Sequence, residues 1–219
     1  MVPLPASLLR AWWETGNMRR RWLTVAAVAL PGLVLGGVGV THPRVLTAES
    51  AYWWATMHIV LLPLFPLLAV AVWLLLRHDR TAMGWGGRVA ALIFVPFYTA
   101  LDTISGIAAG TVTRAGADPT SELVTSLFAA GRPLGYIGSY AFFVAVILVL
   151  ASAWRSGSRG WLFFVAAGVA LVSAYLFTTS HIYFPKGVLA MLGFAVSFAT
   201  LEAIRRSRPE AARAPTASM

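Results

Sequence analysis

Asp102 lies in the apolar stretch ALIFVPFYTALDTISGIAAG, residues 91–110, which is long enough to cross a bilayer. An ionisable side chain at membrane depth is costly, so by default it marks a functional site with a partner to be found. Helical spacing sets Thr99 and Ser105 three residues to either side of it, and Tyr98 and Gly106 four residues to either side. That polar stripe is expected to face the interior of a helix bundle. His58 falls in a second apolar stretch, His181 at the end of a fifth, and His42 and Glu49 in the loop THPRVLTAES.

Three kinds of chemistry suit these residue types. In the first, His58, Asp102 and His181 hold a divalent metal, with His42 or Glu49 contributing from the loop. Imidazole and carboxylate ligands from separate helices suit zinc with a position left for water. No HExxH or similar local motif supports it. In the second, His58 and His181 are the axial ligands of a b-type haem between helices. In the third and simplest, Asp102 and His58 are a buried polar pair that fixes helix packing. On that reading His42 and His181 are solvated residues at the outer interface.

Other chemistries are absent from the chain. It has no Cys, which excludes disulfides, thiolate metal sites, covalent c-type haem and thiol catalysis. There is no Walker motif, GxSxG or dinucleotide fingerprint. No apolar stretch carries a Lys for a Schiff base, and Lys186 sits at an outer edge.

The elements that must position these residues follow from composition. Of 219 residues, 58% are hydrophobic and 11% charged, against about a quarter charged in a soluble domain. The chain is expected to be all-α: a six-helix transmembrane bundle over residues 22–204, with short interfacial helices. The spans are about 22–40, 52–76, 88–110, 134–154, 161–180 and 186–204. Residues 1–21 read as a cytoplasmic interfacial segment, with Leu8, Leu9, Trp12 and Trp13 at helical spacing beside Arg10. Residues 205–219 read as a disordered cytoplasmic tail. Gly32 and Gly36 form a GxxxG pattern that permits close helix packing. Pro31, Pro63, Pro66 and Pro96 are expected to kink the first three spans. In the polar stretch 111–133, Asp118-Pro119 reads as a helix start. Leu123, Val124, Leu127 and Phe128 share a face beyond it, so a separate amphipathic helix is expected over about 119–130.

Charge orients the bundle. With six spans, thirteen basic residues fall on the side of the termini and four, Arg44, Arg114, Arg132 and Lys186, on the other. The positive-inside rule then makes both termini cytoplasmic. Sixteen of the seventeen basic residues are Arg, a bias that suggests a bacterium, and hence its inner membrane. The Arg clusters flank spans, so they read as topology and contacts with anionic lipids at the inner face, not as a nucleic-acid surface. In this frame His58 lies about 9 Å and Asp102 about 12 Å below the outer surface, at 1.5 Å per residue. The two are expected to meet, with His181 and His42 at the same end. Glu202 is one helical turn from Arg205 and Arg206, which suits a local ion pair. The functional expectation is an outward-facing polar pocket that binds a small ligand, ion or proton. A metal-dependent membrane enzyme acting on lipid or a lipid-linked substrate is the alternative. A haem protein, or an accessory subunit without a site, is a further one.

Overall fold

The computed structural model describes residues 6–206. Among them are eight α-helices and one π-helical turn: α1 (Ala6–Val40), α2 (Ala51–Leu64), α3 (Pro66–Leu76), α4 (Ala82–Leu101), the π-helical turn (Asp102–Ala108), α5 (Ala109–Arg114), α6 (Glu122–Arg155), α7 (Trp161–Ser180) and α8 (Lys186–Arg206). Six helical segments are long and apolar enough to span a membrane: Met18–Val40, Ala51–Leu76, Ala82–Arg114, Glu122–Arg155, Trp161–Ser180 and Lys186–Arg205. The protein is a multi-pass helical membrane protein. Its lipid-facing surface is apolar, with residues such as Leu30, Val70, Leu92, Val172 and Val196 exposed.

Local sequence explains where the helices start and break. Pro63 and Pro66 each lack an amide donor, and the second span separates at Phe65 into α2 and α3. Thr81 caps α4 by accepting from the Gly84 amide. The backbone of α1 is one continuous helix from Ala6 into the first span. No separate surface helix precedes it among the described residues. The expected disordered tail lies outside the described residues from 207 onward.

The stretch between the third and fourth spans differs from the expectation. Asp118-Pro119 does not begin a helix. The Asp118 carboxylate instead accepts from the amide and hydroxyl of Thr120, at 2.7 and 2.6 Å, closing a turn. The cap is Ser121, whose hydroxyl accepts from the Val124 amide. From there α6 runs unbroken for 34 residues through Pro133. The amphipathic stretch is therefore the N-terminal end of a spanning helix. Its Val124 is buried against Leu46, Ala51, Trp54 and Ala109.

Helix contacts are close where side chains are small. A Cβ on Gly32 would come within 2.4 Å of the Met191 carbonyl oxygen, so α1 and α8 approach backbone to backbone there. An aromatic core made of Phe65, Phe94, Tyr98, Phe142, Phe177 and Phe194 fills the middle of the bundle. Where the ends of α3 and α8 meet, the bundle is closed by an ion pair between different spans. Glu202, fully buried, receives both guanidinium nitrogens of Arg77 at 2.9 and 2.6 Å. Spacing along α8 pointed to Arg205 and Arg206, whereas the two-pronged partner comes from the end of α3. Fork-to-fork pairing of this kind is the strong form of the arginine–carboxylate contact.

Candidate metal centre

Three histidines from distant parts of the chain meet at one end of the bundle. His42 follows α1 in the loop to α2, His58 lies on α2, and His181 ends α7. Each offers one ring nitrogen, and those nitrogens lie within 4.8 Å of one another. The ring centres are 5.1 Å apart for His42 and His58, 5.5 Å for His42 and His181, and 6.1 Å for His58 and His181.

The orientation of each ring is fixed through Nδ1. His42 Nδ1 donates to the Pro43 carbonyl and His58 Nδ1 to the Trp54 carbonyl, both at 2.7 Å. A carbonyl can only accept, so these rings carry the proton on Nδ1 and present the Nε2 lone pair. His181 Nδ1 is hydrogen-bonded to the Tyr98 hydroxyl. With that hydroxyl accepting, its Nε2 is likewise a lone pair. Nε2 of His42 and of His181 is buried and has no hydrogen-bond partner. Imidazole ligands of metals are characteristically held in this way, by a second hydrogen bond from the opposite nitrogen.

Burial keeps the loop histidines neutral. It lowers His42 to about 4, partly offset by the Pro43 carbonyl and helped by neighbouring His58. It lowers His181 well below its usual value, and His42 and His58 add to the effect. Tyr183 packs on His42 with ring centres 4.4 Å apart. Its phenol is pushed up to about 12 by burial and by Asp102.

Asp102 adjoins the cluster. It is 1% exposed, and its Oδ1 lies 4.0 Å from His181 Nε2. Neither carboxylate oxygen has a hydrogen-bond partner. Asp102 and His58, expected to meet, both line the same pocket, but no direct hydrogen bond joins them, and the imidazole in an ion-pair contact with Asp102 is His181. Gly106 explains the difference. A Cβ there would stand 2.2 Å from the His58 ring, so the residue four beyond Asp102, rather than Asp102 itself, receives His58.

The backbone at Asp102 is unusual as well. Asp102–Ala108 forms the π-helical turn. Such turns recur at functional sites, because the wider ladder redirects side chains and frees carbonyls. The Ser105 carbonyl accepts from the Trp54 indole at 3.1 Å, tying the turn to α2. His181 is the one described non-glycine residue with positive φ, at 50°. A non-glycine held in the left-handed region is strained, and such strain is found where a side chain must be aimed.

A cavity of about 410 Å³ opens beside the cluster. Its lining includes His58, Tyr98, Asp102, Ser105, His181 and Tyr183, together with Phe128, Arg132 and Tyr136 from α6 and Phe177–Ser180 from α7. Sequence reading placed His58, Asp102, His181 and Ser105 in one pocket, and the structure brings these four together. His42 joins them as a buried member of the cluster, and His181 is nearly as enclosed, so neither is the solvated residue expected of an interface histidine. Thr99 is half-buried and off the cavity, because the stripe beside Asp102 that faces inward is led by Tyr98. Glu49 is exposed on the loop and outside the cluster.

No family model, no curated protein and no solved structure matches this chain.

The geometry discriminates between cofactors. In a haem with His58 and His181 as axial ligands, the macrocycle must pass through the midpoint between the two rings. His42, 5.1 and 5.5 Å from them, stands beside that midpoint, in the space the macrocycle needs. Three imidazoles around one point are instead an arrangement that could hold a single metal ion. Zinc with three histidines holds its ligand nitrogens at about 2.0–2.1 Å and leaves a fourth position for water. The packing reading accounts less well for Asp102, since a pair that fixes helices would be hydrogen-bonded and this carboxylate is not.

Proposed function

We propose that this protein is a metal-dependent hydrolase of the membrane. His42, His58 and His181 would hold one divalent ion of the zinc class, and Asp102 would be its acid–base partner. The observation that carries this reading is the convergence of three imidazoles, each with Nδ1 already engaged, beside a buried carboxylate that has no partner.

The chemistry follows from the donor set. A three-histidine ion lowers the pKa of a bound water toward neutrality. Asp102 would take a proton from that water, and the oxygen would attack a carbonyl or phosphoryl centre in the cavity. The bond to the leaving group then breaks, and Asp102 returns the proton to the departing oxygen or nitrogen. Coordination or a hydrogen bond at the ion would also satisfy the otherwise unpartnered carboxylate.

The charge asymmetry supports an orientation within this reading. Both termini would be cytoplasmic, the arginine clusters would meet anionic lipids at the inner leaflet, and the centre would open toward the outer face of a bacterial inner membrane.

Elemental analysis combined with turnover tests the proposal. The purified chain should carry one equivalent of a first-row divalent metal and cleave an ester amphiphile. His58→Ala should lose both metal and turnover while retaining the helical content of the wild type. A wild-type protein that takes up no metal from a zinc solution would overturn the reading.

A further inference from the structure

The entrance to the cavity carries information about what enters it. The exposed residues that line it include Arg132, Tyr136 and Thr179, from α6 and α7. The cavity thus reaches the surface between α6 and the end of α7, two membrane-spanning helices. Leu101, Phe128 and Phe177 also line it and give it an apolar wall beside Asp102 and His181.

Arg132 is the one cation lining the cavity among the described residues. Neither ion pair among those residues involves it. It is set on α6 by Gly131, where a Cβ would stand 2.1 Å from the Ser105 hydroxyl, and by Gly135, where a Cβ would stand 2.8 Å from Leu101. Gly131 brings α6 against the π-helical turn and Gly135 brings it against the end of α4, and Arg132 lies between them in sequence, exposed at the rim. A planar guanidinium without a carboxylate is suited to a phosphate or carboxylate group.

We infer that the site accepts an anionic amphiphile, entering from the membrane between α6 and α7 with its phosphate or carboxylate on Arg132 and its chain along the apolar wall. This rests on the hydrolase reading for what happens next, but binding by Arg132 stands apart from metal chemistry. The anion could come from a lipid headgroup or from a free oxyanion. The apolar wall and the opening between spanning helices favour the lipid.

The test is calorimetric titration of the purified full chain in neutral phosphatidylcholine nanodiscs, with empty nanodiscs as background and metal content measured on the same sample. Three probes are compared: dodecyl phosphate, dodecyltrimethylammonium and inorganic phosphate. Dodecyl phosphate should bind saturably at one per chain. R132Q should weaken it about tenfold, the loss expected for a charge-assisted hydrogen bond, and R132K by less. R132Q should keep the wild-type helical content by circular dichroism, which shows that it is folded, and the wild-type metal content. The cationic probe should not saturate, and inorganic phosphate should bind far more weakly than dodecyl phosphate. Equal binding of the cationic probe, or no change in R132Q, would overturn the inference and reduce Arg132 to an interfacial anchor. Inorganic phosphate binding as tightly as dodecyl phosphate would overturn the lipid assignment in favour of a free oxyanion. Metal present with no dependence on Arg132 would sink this inference alone. Dependence on Arg132 in a chain that takes up no metal would sink the hydrolase reading alone.

Discussion

Oδ1 of Asp102 lies 4.0 Å from Nε2 of His181, too far for a hydrogen bond and close enough for one small atom to bridge. Both atoms are buried, and neither has a hydrogen-bond partner. A water held on a metal at the histidine cluster would stand between them. On the hydrolase reading proposed above, this spacing suits Asp102 to be a proton acceptor rather than an obligatory ligand. Asp102→Asn keeps the shape and removes the base. It should retain the metal and lower hydrolysis by about 10²–10⁴-fold, the usual range for loss of a general base. Full turnover in a folded, metal-loaded Asp102→Asn variant would assign Asp102 to packing.

Tyr98 lines the cavity and orients His181 through its hydroxyl. Its hydroxyl meets His181 Nδ1, and its ring packs against Phe65, Phe94 and Phe177. Tyr98→Phe preserves that packing and removes only the hydroxyl. Metal affinity, measured by competition with a chelator, should fall about 10–100-fold, as for other lost partners of metal-bound histidines. An unchanged affinity would show that the strained backbone of His181 positions the ring unaided.

At Gly106 the π-helical turn packs closely against His58 of α2. Adding a methyl there would force the His58 ring aside, because the new Cβ would lie 2.2 Å from it. Gly106→Ala should therefore abolish stoichiometric metal binding. Gly37→Ala is the control, since a Cβ there meets nothing within 4 Å. Alanine favours a helix over glycine, so a purely local helical effect would stabilise both variants alike. Metal binding that survives in Gly106→Ala would mean that His58 does not need its present place.

Orientation in the membrane is testable without knowing the reaction. Reporter fusions after Arg206 and within the turn 115–121 should give opposite answers, cytoplasmic and external. Agreement between the two fusions would overturn the six-span count, and swapped answers would reverse the sidedness proposed for the centre.

The spans were legible because each is a long apolar run bounded by charge, and in lipid such a run has little choice but to be helical. The kink at Phe65 followed from Pro63 and Pro66. The start of α6 was misread because Asp118-Pro119 has the chemistry of a cap. Ser121 satisfies the same need three residues later, while Asp118 closes a turn with Thr120.

The site was legible only in part. His58, Asp102, His181 and Ser105 could be grouped by depth, since depth follows from counting residues along a helix. Convergence onto one point could not, because the three histidines sit on a loop, a helix and a helix end with no spacing rule to join them. His42 looked like a loop residue until Tyr183 and Trp54 were seen packed against it. The π-helical turn has no sequence signature in DTISGIA beyond its glycine. Arg132 entered only the count of outer charges. Its place at the cavity rim depends on the unbroken course of α6.

X-ray absorption at the edge of the bound metal tests the central claim most directly. A chain loaded with one equivalent of zinc should show three imidazole nitrogens and one or two oxygens at about 2.0–2.1 Å. Each of His42→Ala, His58→Ala and His181→Ala should remove one imidazole from that shell or lose the ion altogether. A zinc shell without imidazole, or one indifferent to all three substitutions, would contradict the account.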